Sequence, residues 1–240
     1  GIGASAGGLE ALELFFKHMP PNTDLAFIVV QHLSPDYKSL MNELLARHTK
    51  MPIQVIENGT QTKANHIYLI PPRTNLSMYQ GKLYLEEQSN LQKLNLPIDV
   101  FFRSLAMDQE KKAIGVVLSG TGSDGAIGVR AIKESGGIIL VQDENSAKFD
   151  GMPQSAIATG IVDAILPAEH MANFLTDYIA HPFNKKQVKT IPDELNSFSK
   201  ILMILRDSCG VDFSHYKEST IVRRIERRVQ INRFSTLEEY

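Results

Sequence analysis

GIGASAGGLEALELFFKHMPPNTDLAFIVVQH, residues 1–32, decides how the rest of the chain is read. A turn of small residues, Gly3-Ala4-Ser5-Ala6-Gly7, leads into a segment, 9–19, whose apolar residues fall at helical spacing. The β-branched run 25–31 follows and ends at His32. Turn, helix and strand in that order make a βα unit. The alternation continues outward. Strands are expected at 53–56, 66–70, 113–119, 137–142 and 161–166, and helices at 37–48, 98–110, 126–135, 153–159 and 168–179. Residues 75–87, with Gln80-Gly81 between two alternating runs, read as an inserted β-hairpin. The fold class is α/β: an open, mainly parallel, doubly wound sheet with that hairpin inserted, followed by a short all-α segment.

The second part starts where strand signals stop. Residues 181–192 (HPFNKKQVKTIP) are polar and flanked by prolines, as in a linker. Residues 195–209 (LNSFSKILMILRDSC) then carry a helical stripe that ends at Gly210, a natural C-cap. Ser219-Thr220 open a second helix, 221–231, whose exposed side holds Arg223, Arg224, Arg227 and Arg228. The expected boundaries are 1–180, 181–192 and 193–240. Charge changes sign with them: residues 1–180 hold 14 Lys+Arg against 19 Asp+Glu, and residues 181–240 hold 11 against 8.

The full 240 residues, 43% hydrophobic and 22% charged, are ordinary for a globular protein and exclude disorder or a collagen-like repeat. A net charge of −2 gives no overall field toward nucleic acid or an anionic membrane. One cysteine, Cys209, excludes an intrachain disulfide and is expected to be a small buried apolar residue. Neither a secretory signal nor an apolar run of about 18 residues is present, so a cytoplasmic protein without membrane insertion is expected. The chain opens at Gly1 without an initiator Met, which suggests excision from a longer polypeptide. No metal is implied, since His, Cys and carboxylates do not cluster at ligand spacing.

Gly3 to Gly7 match G-x-S-x-G, the elbow that leaves a serine Oγ exposed between strand and helix. Gly1-x-Gly3-x-x-Ala6 also satisfies a dinucleotide fingerprint, but the ribose-binding acid expected about 20 residues on is absent, and Gln31-His32 stand there. In a parallel sheet functional groups gather at the carboxyl ends of neighbouring strands, so Ser5 and His32 are candidates for nucleophile and base. His32 otherwise only caps a strand. The orienting carboxylate is sought in Ser119-Gly120-Thr121-Gly122-Ser123-Asp124, after the most hydrophobic strand. Asp124 is that candidate, or else an N-cap for the helix that follows. Backbone N–H groups at Ala6 and near Thr121 are candidate oxyanion donors.

Five segments in this order, GIGASAGG, FIVVQH (27–32), HIYLIPP (66–72), GVVLSGTGSDGA (115–126) and GMPQSAI (151–157), resemble the catalytic domain of chemotaxis-type protein-glutamate methylesterases (CheB type) over nearly all of residues 1–180. The resemblance implies Ser5 as nucleophile, His32 as general base and acid, and Asp124 as the residue orienting His32. It implies methylated chemoreceptor-like signalling proteins as partners, methanol as product, no cofactor for the esterase, and deamidation of receptor glutamines as an alternative activity. A receptor-binding scaffold with weak esterase activity is a further alternative. Two positions depart from the family's usual residues: Ala6 where Thr is frequent, and Thr121 where Met is frequent. CGVDFSHYKESTIVRRIERRVQ (209–230) is similar to the start of chemoreceptor glutamate methyltransferases (CheR type). That resemblance implies S-adenosylmethionine only in the remainder of such an enzyme, whose motifs these residues lack. The four arginines face an acidic receptor helix or form a solvated basic face.

Overall fold

The computed structural model describes residues 1–31, 41–88, 95–180, 197–211, 213, 218–234, 236, 237, 239 and 240, with backbone alone at 197–199, 218 and 219. The described residues divide into two compact units, Gly1–Thr176 and Asp177–Tyr240.

In the first unit β1 (Ile2–Ala4) runs into α1 (Gly8–His18) and returns as β2 (Ala26–Gln31). After α2 (Met41–Leu45) come β3 (Ile53–Val55), β4 (Thr60–Gln61), β5 (His66–Leu69), β6 (Thr74–Tyr79) and β7 (Lys82–Glu87). Then α3 (Pro97–Gln109), β8 (Ile114–Val117), α4 (Ala126–Glu134), β9 (Ile138–Gln142), α5 (Gly151–Ile157), β10 (Ala164–Leu166) and α6 (Ala168–Ala180) complete it. Seven strands form one sheet in the order β10-β9-β8-β1-β2-β5-β3, and every adjacent pair is parallel. β1 lies at the centre, between β2 on one side and β8 on the other. Chain order reverses there, which makes the carboxyl end of β1 the switch point where doubly wound sheets place ligands.

Alternation along β2 sorts the two faces. Phe27 meets Phe15 and Phe16 of α1 edge-to-face, with ring centroids 6.1 and 5.5 Å away. Ile28 and Val30 join the opposite core, with Ile98, Phe101, Phe102 and Leu105 of α3 and Val129 and Ile132 of α4. The hairpin packs on α3: Leu76, Met78 and Leu83 enter this core, and Ser104 Oγ accepts the amide of Met78 at 3.0 Å. Its turn residues, Gln80 and Gly81, have φ of 51° and 72°, the twist that a two-residue hairpin turn needs. β4 adds a third antiparallel strand, so the insertion is a small sheet rather than a hairpin alone.

The helix expected at 37–48 is described only as the five residues of α2; residues 37–40 lie outside the described set. In the second unit α7 (Ser197–Cys209) and α8 (Glu218–Ile231) follow, and Gly210, at φ 71°, donates its amide to Arg206 O at 2.9 Å as the C-cap. Ile221, Ile225 and Val229, one stripe of α8, are buried with Ile201, Leu202, Phe213 and Leu237 around them. Cys209 is exposed rather than buried. It sits in the last turn of α7, beyond the residues that reach this small core, and its Sγ donates to Leu205 O. Among the described residues no helix is long and apolar enough to cross a membrane.

Candidate active site

The elbow read from the sequence is present. β1 ends at Ala4, and Ser5 donates its amide to Ser119 O (3.0 Å) while its own carbonyl accepts from Gly8 N (2.9 Å). The chain turns into α1 at Gly7, whose φ of 69° suits glycine. A Cβ there would also lie 2.7 Å from Ser119 Oγ. Ser5 itself is half-buried.

Ser119, 1% exposed, joins three loops. Its hydroxyl donates to Ala6 O at 2.8 Å and accepts from Phe149 N at 3.0 Å. Its amide donates to Gln142 Oε1 at 2.9 Å, at the end of β9, and Gln142 Nε2 reaches Ser146 O. Gly120 comes next. A Cβ on it would stand 3.0 Å from Ser5 Cβ and 2.1 Å from Met152 Sδ, so the loop after β8 is pressed against the serine with no side chain between them. Sequence reading passed over Ser119, Gln142 and Met152. A polar residue ending a fully buried strand, as Gln142 does, was the available signal.

Asp124 is 9% exposed, and both carboxylate oxygens accept backbone amides, Asp99 N at 2.9 Å and Ile98 N at 3.0 Å. These belong to the first turn of α3. The sequence offered Asp124 as a cap for the helix after it; the structure has it cap the neighbouring helix instead, while Gly125, at φ 96°, is the N-cap residue of α4. Burial pushes the Asp124 carboxyl up to about 6 against the pull of those amides, and the nearby Asp99 charge adds to the rise. Two accepted bonds leave lone pairs on both oxygens for a further donor.

His32 lies outside the described residues. Gln31, which precedes it, is the register partner of Ala4, which precedes Ser5. Among the described residues the Ala6 amide meets no acceptor, and neither does that of Thr121, which is exposed beside Gly122 at φ 81°. No group of three or more His, Cys, Asp or Glu suited to a metal ion occurs among the described residues.

The family model for the CheB methylesterase matches residues 1–175. The chain belongs to the CheB methylesterase family. A protein-glutamate methylesterase/protein-glutamine glutaminase of Nitrosomonas europaea is 36% identical over 71% of this chain and 49% of its own length. An uncharacterized 104.1 kDa protein of Rhodobacter capsulatus is 37% identical over 83% of this chain and 23% of its own length. The chain thus spans about half, or less, of these curated relatives. The CheB methylesterase catalytic domain of Thermotoga maritima superposes with a TM-score of 0.67 at 27% identity, over 73% of this chain and 95% of that one. Residues 196–240 match the all-alpha domain of CheR methyltransferases.

The fold of the CheB domain is therefore the one read from residues 1–32, and its switch point carries Ser5 and the Asp124 loop. In the CheR-type segment the arginines separate. Arg223, Arg224 and Arg228 are exposed, but Arg227, expected beside them, is half-buried with its guanidinium 5.5 Å over the Tyr178 ring. Four residues on from Arg223, it lies nearer the buried Ile225–Val229 stripe, where an aromatic face is within reach.

Proposed function

We propose that the CheB domain hydrolyses γ-methyl esters of glutamate on methylated chemoreceptor-like signalling proteins, releasing methanol. The observation that carries this reading is Ser5 on a strand–turn–helix elbow at the switch point of a parallel sheet. His32, the next residue after a strand registered with β1, takes the Ser5 proton as Oγ attacks the ester carbonyl. Asp124 orients that imidazole and stabilises it when protonated. The amides of Ala6 and Thr121 bind the oxyanion. Methanol leaves with the proton from His32, and water attacks the acyl-serine to release the glutamate carboxylate. The sequence needs only side chains, backbone amides and water, and we assign it no cofactor. S-adenosylmethionine belongs to the remainder of a CheR-type enzyme. The exposed Arg223, Arg224 and Arg228 supply a positive strip for an acidic receptor helix. We assign the esterase a cytoplasmic site of action, in keeping with a single cysteine among 240 residues.

The test is methanol release from a methylated receptor fragment, with mass spectrometry of the product and fluorophosphonate labelling of the serine. Ser5→Ala is expected to lose several powers of ten in rate and all labelling, with unchanged circular dichroism. Wild-type turnover in that variant removes Ser5 from the mechanism. A second reading, deamidation at the same serine, is favoured by the glutaminase half of the name carried by the Nitrosomonas relative. Ammonia release, and a mass gain of about 1 Da in place of a loss of about 14 Da, marks it, since amide and ester pass through the same acyl-serine.

A further inference from the structure

Behind Asp124 lies a second carboxylate for which the mechanism above has no use. Asp99 is 3% exposed, in the first turn of α3. Its Oδ1 accepts the amide of Gly128 at 2.6 Å, in the first turn of α4. Asp124, just before α4, accepts amides from the first turn of α3. The two helices therefore cap each other, each through an aspartate that belongs to the other's side of the contact. They approach closely enough that a Cβ on Gly128 would lie 2.5 Å from Phe102 Cβ and 3.2 Å from Asp99 Cα.

The other oxygen of Asp99 is different. Among the described residues Oδ2 is buried with no hydrogen-bond partner. An asparagine would keep the Gly128 bond through its carbonyl and place a neutral amide where the unpartnered oxygen now lies. The capping role therefore needs a carbonyl oxygen but no charge, and burying a carboxylate with an unpartnered oxygen is costly. Burial raises the Asp99 carboxyl, and the amides at the start of α4 and the charge of Arg103, on the next turn of α3, oppose that rise; the Asp99 charge in turn raises Asp124. The group that feels the Asp99 charge is the one the esterase uses.

We propose that Asp99 is a positioning residue for Asp124: it clamps the two helix starts that hold the Asp124 carboxylate, and its own negative charge moves the acid limb of the esterase toward higher pH. This rests on the esterase reading for its consequence but not for its measurement. A like charge close by holds a carboxyl protonated to higher pH, so removing it lets Asp124 ionise at lower pH.

The experiment compares the 240-residue chain with Asp99→Asn. The carboxyl carbon of Asp124 is followed by NMR from pH 4 to 8, and methanol release is measured over the same range. In the variant the Asp124 titration and the acid limb of kcat/KM are both expected to move down by roughly half to one pH unit. A thermal readout checks the sign. A carboxyl that binds its proton more tightly in the folded state adds stability below its unfolded value, near 4, which is lost as pH rises through its folded value. Removing one of two such groups makes the Tm of Asp99→Asn gain on wild type as pH rises from about 4.5 to 7.5. An Asp124 carboxyl that titrates identically in both chains overturns the proposal, whatever the enzyme assay shows. Absence of methanol from wild type overturns the esterase reading and leaves the NMR and Tm comparisons to test the pair. Should Asp99→Asn fail to fold, the wild-type chain serves: both carboxyl carbons are followed in one titration, the Asp124 curve is expected to be displaced as Asp99 ionises, and two independent single-proton curves overturn the proposal.

Discussion

Ser119 does for the turn at Ser5 what no residue of the elbow does for itself. Its hydroxyl holds Ala6 O and Phe149 N at once, and its amide is fixed by Gln142. Ser119→Ala leaves a carbonyl and an amide without their partner at a buried position, a loss of about 1–3 kcal/mol each when water cannot replace it. The expected result is a fall in Tm and a drop of roughly ten- to a hundredfold in kcat with little change in KM, since the elbow that holds Ser5 loosens while the rest of the domain keeps its packing. Ser119→Thr, which keeps the hydroxyl, is expected to restore most of the rate. The sequence displayed Ser5 and Asp124 because the roles proposed for them impose a spacing of glycines and a place after a strand. Ser119 and Asp99 carry no such pattern. A polar side chain that bonds to a distant backbone follows no period, and only the folded path of three loops reveals it.

Elements were legible in proportion to their length. The interiors of β2, β8 and β9 are buried on both faces and read as apolar runs, as central parallel strands do. β4, two residues long, has no room for a pattern, which is why the inserted sheet looked like a hairpin. The turn between β1 and α1 was legible for another reason, its glycines. Gly7→Ala is expected to cost at least 1 kcal/mol from its φ of 69° alone, and more from the contact with Ser119 Oγ. The measurement is a denaturation midpoint together with the rate of fluorophosphonate labelling, and both are expected to fall. A variant that labels at the wild-type rate would show that the turn tolerates the methyl group and that Ser5 does not depend on it.

At the scale of the whole molecule composition and charge put the expected linker at 181–192, and the contacts of the described residues form two units that meet in the chain between Thr176 and Asp177, inside α6. The residues after it bond to α8: Arg233 pairs with Asp177 at 2.6 Å, and Gln230 Nε2 donates to Tyr178 O. No linker composition announces such pairs, since each needs a partner 50 or more positions away. The near-zero net charge of the chain hides a basic surface on α8. Replacing Arg223, Arg224 and Arg228 by Glu is expected to raise KM for a methylated receptor fragment about tenfold at low salt, less at high salt, and to leave hydrolysis of a small uncharged ester alone. An unchanged KM for the receptor fragment would assign those arginines to solvent. One consequence follows from the place of β1. Bonded on both sides, it cannot fray from an edge, and its amides should exchange with deuterium only when both halves of the sheet come apart. Ser5 is attached to the part of the CheB domain that opens last. Catalysis should therefore persist through local breathing elsewhere and vanish with global unfolding, so that residual activity in denaturant counts folded molecules.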